Sequence, residues 1–299
     1  MAIILVGGLF FLIAWRPPLR TAFDDLGTRA KRSFVRLFHV FGLDVRRLRP
    51  PTPPRASMGV GLAQIARLGF QPETVIDVGV AYATTELYDA FPSASLLLVE
   101  PLAEFEPFLK KICSAYNAQY VVAAAGEAPG TGIIHVHEDG VGSSLLREIE
   151  GPSVDGVSRT IPIVTIDQLC LEKHLKPPYL VKADVQGAEL RVLTGASRTL
   201  QQTGAVILEV SLVAALIEGP EFFEVVCRMK ELGFVAYDFL GLLYRPLDDA
   251  LCQVDVLFVP DHSPLRESHA YATPEQRLEL TRQYAGTFSL AQRKLRKLS

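Results

Sequence analysis

The chain has 299 residues, about half of them hydrophobic, and a net charge of −3. That is enough apolar sequence for one large α/β domain with additions rather than two equal domains, and the small negative charge argues against a nucleic-acid-binding role. The four cysteines, Cys113, Cys170, Cys227 and Cys252, have no paired spacing, so a disulfide framework or zinc site is not indicated. They read as small core residues of a protein in a reducing compartment, by default the cytoplasm.

Ala2 to Trp15 is uninterrupted apolar sequence, followed by Arg16 and Arg20. As a helix it would span roughly 21 Å, short of the ~30 Å hydrocarbon core. It reads as a membrane-embedded or interfacial anchor with the downstream chain cytoplasmic, or as a helix packed on the domain or a partner. Residues 1–60 hold ten Arg and Lys against three Asp and Glu, a local charge of +7. Such an arm suits a membrane surface, reached through residues 1–49, or another acidic partner; it equally suits a solvated linker. Pro50-Pro51-Thr52-Pro53-Pro54 is a polyproline-type boundary. The organisation expected is therefore an apolar segment (1–15), a basic, Pro-rich arm (16–57), an α/β domain (58–262) and a polar helical tail (263–299).

Met58 to Leu68 has helical apolar spacing and stops at Gly69. Thr74-Val75-Ile76-Asp77-Val78-Gly79 is then a buried strand ending in a carboxylate and a glycine. The small-residue turn Val80-Ala81-Tyr82-Ala83 leads into a helix. A strand turning tightly into a helix is how α/β folds cradle a nucleotide-like ligand. Ser95 to Val99 is the next buried strand and ends on Glu100-Pro101, where an acidic residue would bond ribose hydroxyls. Asp77 and Glu100 together suit a ligand with a ribose and an amine-bearing or positive end, a description that S-adenosylmethionine fits. The turn has one of the three glycines of a dinucleotide fingerprint, which argues against the pyrophosphate of NAD.

Residues 103–116 form an amphipathic helix through Phe105, Phe108, Leu109 and Ile112. Gln119 to Ala125 is a third buried strand, and Ala124 and the loop beyond it lie where an adenine ring would sit. Ile133 to Glu138 alternates at strand period, so His135 and His137 share a face. Without a third ligand they do not make a metal site, but His135 could serve as a general base. Ser143 and Ser144 stand in a small-residue loop, Ile161 to Asp167 is extended, and residues 127–170 read as an inserted hairpin beside the site. Residues 127–170 and 212–220 are expected to wall the acceptor pocket.

Tyr179 to Asp184 is another buried strand ending in a carboxylate, followed by Gln186-Gly187-Ala188-Glu189 and a helix over 190–200. In an open parallel sheet, ligands bind at the carboxyl ends of strands, so Asp77, Glu100 and Asp184 should converge on one crevice. Asp184 could alternatively form a structural ion pair with Lys182. Gly204 to Val210 carries Glu209 near its end, Glu221 to Leu232 is a helix, and two closing strands, 234–239 and 254–259, would add an antiparallel strand to the sheet. The tail from Pro274 is polar and helix-prone.

The combination of VIDVGVAYATTELY, LLLVEP, VKADVQGAELRVLTGA, ILEVS and QVDVLFVP resembles the FkbM-type family of class I S-adenosylmethionine-dependent methyltransferases, over about residues 70–260. The resemblance implies a Rossmann-like, mostly parallel seven-stranded sheet with an antiparallel last strand and helices on both faces. It also implies methyl transfer to a hydroxyl of a sugar, glycan or natural-product-like acceptor. It gives cofactor contact to Asp77, Gly79, Ala81, Tyr82 and Ala83, ribose binding to Glu100 with Pro101, and a site role to Asp184 and its neighbours. Ala83 replaces the usual second glycine, and Gln186 stands where the family often has Glu. The base expected is Asp184, with His135 and Glu209 behind it; Ser143, Ser144, Gln186 and Glu189 are expected to meet the acceptor. Two rival readings remain: a catalytically silent binding or scaffold module, and an NAD-dependent oxidoreductase.

Overall fold

The structure, a computed structural model, describes residues 2–6, 9–13, 55 and 57–295. The chain divides into two units, Met1–Pro54 and Arg55–Ser299. In the first, Ala2–Val6 (β1) and Leu9–Ile13 (β2) pair antiparallel from Ala2 opposite Ile13 to Val6 opposite Leu9. The helical reading of this apolar segment is therefore corrected. Two consecutive glycines divide the run, and its Ile, Val and Phe residues favour a pleated strand over a helix. Among the described residues no helix is long and apolar enough to cross a membrane. The basic arm and the polyproline stretch lie outside the described residues, apart from Arg55 and Ser57.

The second unit alternates strands and helices. After α1 (Met58–Arg67) come β3 (Thr74–Val78), α2 (Thr85–Ala90), β4 (Ser95–Glu100), α3 (Glu106–Ala115) and β5 (Ala118–Val122). A second layer follows, made of β6 (Ala124–Ala125), β7 (Gly130–Val136) and β8 (Val157–Val164). Then come α4 (Ile166–Glu172), β9 (Tyr179–Ala183), α5 (Glu189–Thr194), α6 (Ser197–Leu200), β10 (Thr203–Ser211), α7 (Phe222–Glu231), β11 (Phe234–Tyr244), β12 (Leu251–Pro260) and α8 (Pro274–Leu295).

The main sheet has seven strands in the order β11-β12-β10-β9-β3-β4-β5. The pairs β3–β4, β4–β5, β3–β9 and β9–β10 are parallel, and β12 runs antiparallel to both neighbours. The chain order reverses between β3 and β9, which is where an open α/β sheet leaves a crevice for ligand. The strands are apolar on both faces because helices cover both. Leu62, Leu87, Leu109 and Ile112 of α1–α3 pack on one face with Val75, Leu98 and Ile207. Leu169, Val192, Val225 and Met229 of α4, α5 and α7 pack on the other with Ile76, Val181 and Val256.

The helix expected over 190–200 is broken in two. Gly195 packs so closely on the backbone that a Cβ there would lie 2.0 Å from the Gly126 carbonyl oxygen. The new helix start at Ser197 is capped from 30 residues away, because the Asp167 carboxylate accepts the Arg198 and Thr199 amides. That long-range cap is invisible to local sequence patterns. The closing strands also extend into the stretch read as their connection, 240–253. Cys227 is exposed, against its reading as a core residue. On α7 it lies two positions from the buried pair Val225 and Met229, about 200° round the helix.

The inserted hairpin is present. β7 and β8 pair antiparallel from Gly130–Ile163 to Val136–Val157, and β6 joins β8 in parallel. Leu102, Phe105, Ala124, Ile134 and Ile161 close a small third core beneath this layer.

Candidate active site

A cavity of about 240 Å³ opens at the C-terminal ends of β3, β4 and β9, walled on its far side by the β7 layer. Its first wall is the turn after β3. Gly79 has φ +79°, and a Cβ there would meet the Asp184 carbonyl oxygen at 1.8 Å. Only glycine allows this approach, and it ties the first turn to the end of β9. An amide bond from Asp184 to the Val78 carbonyl (3.0 Å) completes that tie, and one from Gly79 to the Val99 carbonyl (2.9 Å) joins the turn to β4. Ala81 follows in the left-handed region at φ +46°. Its amide donates to Glu100 Oε2 (2.9 Å), while the Leu102 amide donates to Oε1 (2.9 Å).

Glu100 is thus buried on the cavity wall with both oxygens anchored by backbone. A carboxylate has about four lone-pair sites, so acceptor capacity remains for hydroxyl groups. Burial pushes its carboxyl above the ordinary range, and the two amide bonds oppose that push. Tyr82, half-exposed at the rim, meets Phe105 and Phe108 edge-on at centroid distances of 5.1 and 5.0 Å. Ala83, Pro101 and Ala124 also line the cavity.

Asp77 lies elsewhere. It is fully buried beneath the cavity, where Oδ2 accepts from the Tyr88 hydroxyl (2.5 Å) and Oδ1 stands 3.6 Å from Lys182 Nζ. Depth along the strand explains this. Asp77 shares a sheet face with Val75, and in the β3–β9 register it stands opposite Lys182. Its role here is to pair with the lysine and the tyrosine, not to line the ligand cavity.

Lys182, which does line the cavity, is held by three oxygens: Asp184 Oδ2 (3.2 Å), the Gly79 carbonyl (3.3 Å) and Asp77 Oδ1 (3.6 Å). Burial would lower its pKa, but Asp77, Asp184 and Asp255 outweigh that and hold the ammonium above its ordinary value. In the sequence it figures only as a partner of Asp184. Its signal is a set of charged residues on one face of four adjacent strands, with Asp77 opposite Lys182 and, two positions along β10 from Ile207 (the partner of Lys182), Glu209 opposite Asp255.

Asp184 lines the cavity with its side chain partly exposed. Besides Lys182 it accepts from Gln186 Nε2 (2.9 Å), and the same amide nitrogen donates to Glu209 Oε2 (2.9 Å). Gln186 reaches both from a left-handed backbone, φ +51°. Glu209 sits behind this bridge, off the cavity wall, and accepts a second amide from Gln253 (3.0 Å). Burial first, then the charges of Asp184 and Asp255, push its carboxyl well above the carboxylate range. Glu189 is buried and turned back into its own loop, where Oε1 accepts the Val185 (3.1 Å) and Gly187 (3.2 Å) amides. Burial pushes its pKa up to about 7.

Of the two serines, Ser143 lines the cavity, with Oγ accepting the His137 amide (3.0 Å). Ser144 is buried and donates to the Gln186 carbonyl (2.6 Å), tying the β7 layer to the Asp184 loop. Ile134 faces the cavity, so strand alternation turns His135 away from it, with Nδ1 3.4 Å from Ser158 Oγ. His137 stands 3.8 Å from Glu148. Among the described residues no group of three or more His, Cys, Asp or Glu side chains is placed to hold a metal. Residues 134–145 supply part of the wall, but residues 212–220 do not; Leu216 packs against Gly187 instead.

The walls carry two carboxylates, and the one cation among the lining residues, Lys182, is already shared by Asp77 and Asp184. Such a site disfavours a pyrophosphate and suits a ribose-bearing molecule with positive charge.

Comparison with known proteins agrees. A family described as the methyltransferase FkbM domain matches residues 76–236, more than half of the chain. A search of curated proteins finds no match. Solved structures align loosely, among them magnesium protoporphyrin IX methyltransferase from Synechocystis PCC 6803 with bound SAM (10% identity, 83% of this chain and 100% of that one, TM-score 0.36). Others are 1,6-didemethyltoxoflavin-N1-methyltransferase from Burkholderia thailandensis (12%, 84% and 92%, TM-score 0.36) and precorrin-6y C5,15-methyltransferase from Geobacter metallireducens (10%, 67% and 86%, TM-score 0.36). On its own sheet order and the match over residues 76–236, the chain belongs to the FkbM family of S-adenosylmethionine-dependent methyltransferases.

Proposed function

We propose that the protein transfers a methyl group to a hydroxyl oxygen of a small-molecule or glycan acceptor. The observation that carries this reading is Asp184, a carboxylate on the cavity wall held by Lys182 and Gln186 on opposite oxygens. Bound S-adenosylmethionine supplies an electrophilic methyl group. The chain supplies position and proton acceptance. Glu100, with its two oxygens oriented by the Ala81 and Leu102 amides, is suited to hold ribose hydroxyls. Ala81, Tyr82, Ala83, Pro101 and Ala124 shape the cofactor end, and Ser143 and Gln186 stand on the walls left for the acceptor.

A hydroxyl is a weak nucleophile at neutral pH, so its proton must be accepted as the new bond forms. Asp184 is the carboxylate placed to do that; Glu209 lies behind it, and His135 faces away. The amide at Gln186 keeps Asp184 in place without adding a charge. Acceptors bearing free hydroxyls, amines or acidic carbons, incubated with the protein and S-adenosylmethionine, test the reading. O-methylated product with stoichiometric S-adenosylhomocysteine is expected. Methylation confined to nitrogen or carbon would refute hydroxyl specificity.

A further inference from the structure

Four carboxyl groups, Asp77, Asp184, Glu209 and Asp255, cluster where the C-terminal ends of β3, β9 and β10 meet the N-terminal half of the antiparallel β12. Glu209 and Asp255 face each other across the β10–β12 pair, and a single Gln186 amide nitrogen bonds both Glu209 Oε2 and Asp184 Oδ1 at 2.9 Å. One cation, Lys182, contacts Asp77 and Asp184. Glu209 has no ion-pair partner among the described residues. It has two neutral amides instead, Gln186 and Gln253, both on Oε2. Glu189 on α5 adds further negative charge on its side. A carboxyl in such company, with amide donors crowded on one oxygen, carries its proton on the other and can donate it to a neighbouring carboxylate.

We propose that Asp184 and Glu209, clamped by the Gln186 amide, form a single unit that holds one proton and releases it from Glu209 when the positively charged cofactor docks. The inference rests on the methyltransferase reading and extends it to the charge balance of the site. Before binding, the cluster is one proton short of full ionisation because like charges this close cannot all ionise. An incoming positive charge offsets the repulsion. The Glu209 O–H bond then breaks heterolytically, the electron pair stays on the carboxylate and the proton passes to solvent. Gln186 is a positioning residue: it keeps the two carboxyls sharing one amide proton donor and leaves Asp184 facing the cavity.

The experiment is calorimetric titration of the full chain with S-adenosylmethionine and with S-adenosylhomocysteine, which lacks the sulfonium charge. Each titration is run at pH 7.5 in phosphate, HEPES and Tris. The slope of observed heat against buffer ionisation enthalpy counts protons exchanged, and binding itself is read from the saturation curve.

Release of roughly half to one proton with S-adenosylmethionine is expected, and clearly less with S-adenosylhomocysteine. The sulfonium-specific difference should vanish in Glu209→Gln, and Gln186→Leu should reduce it while changing affinity less than about tenfold. Saturable binding with equal slopes for both ligands would overturn the proton unit while leaving the methyltransferase reading intact. Undiminished release in Glu209→Gln would overturn it too. Absence of binding would overturn both.

Discussion

Gly79 packs against the main-chain carbonyl of Asp184 so tightly that a Cβ on it would stand 1.8 Å from the oxygen. The turn that would hold the cofactor and the loop that carries the candidate base are therefore one packed unit. Gly79→Ala must either push β9 away or abandon φ +79°, and should cost about 3 kcal/mol or more. A chemical denaturation midpoint checks the stability, and calorimetry should show cofactor affinity falling at least tenfold.

Asp184→Asn preserves the size of the side chain and removes its basicity. Turnover should fall about 10²- to 10⁴-fold, the usual worth of a positioned base, with cofactor Kd changed less than about tenfold. Single-turnover rates at saturating cofactor separate the two. An unaltered rate would remove Asp184 from the proposed role.

Lys182→Met leaves Asp77 fully buried with only the Tyr88 hydroxyl as partner. Breaking a buried pair from one side costs about 3–5 kcal/mol, because the surviving charge stays buried. Adding Asp77→Asn should restore a good part of that loss. Urea unfolding of the two single variants and the double variant forms the cycle; strict additivity would count against the pair.

The buried carboxyls give stability a definite pH dependence. Burial first, and neighbouring charge second, raise Asp255 from 3.8 to about 6; burial raises Glu189 from 4.5 to about 7. Each group binds its proton more tightly folded than unfolded. Its contribution is fully present below the unfolded pKa and is lost as pH rises through the folded one. Carboxylates held low, such as Asp248 at about 2, act below that window. Urea midpoints should therefore decline between about pH 5 and pH 8, and Glu189→Gln with Asp255→Asn should flatten the decline. A rise over the same interval would contradict the burial argument.

Ala81 sits at φ +46°, a region that costs a side-chain-bearing residue roughly 1–2 kcal/mol. Ala81→Gly removes that strain at some entropic cost, for a net gain of about 0.5–1 kcal/mol. Ala81→Val should lose stability. Melting temperatures of the two variants should move in opposite directions.

Much of the core domain is legible without coordinates in three dimensions. The runs Leu96–Val99 and Ala205–Leu208, wholly apolar, and Val75–Val78 and Leu180–Ala183, each apolar but for one charge (Asp77, Lys182), announce strands buried on both faces, and Gly79, Glu100 and Asp184 at or just beyond the ends of three of them announce the crevice. The break at Gly195 and the strand extension past Phe239 were not legible, since they depend on Asp167, Gly126 and β12, all distant in sequence. The apolar start misled for a different reason: hydropathy alone does not distinguish a helix from a pair of strands.

What the sequence determined by itself is the local pattern: which segments are extended, which turn after a carboxylate and a glycine, and hence the family and its cofactor. Local periodicity has that much reach because burial on two faces leaves a continuous apolar signature. Only the tertiary structure decided which carboxylates face the ligand. Asp77 and Asp184 look alike along the chain, each ending an apolar strand. Cross-strand register sends Asp77 under the sheet to Lys182 and Tyr88, while Asp184, one position beyond β9, opens onto the cavity. In the β3–β9 register Asp77 is level with Lys182, whereas Asp184 lies two positions farther along, beyond the last strand pair and level with Gly79. The same sheet face is closed at the first depth and open at the second, and that depth is set by pairing partners a hundred residues apart.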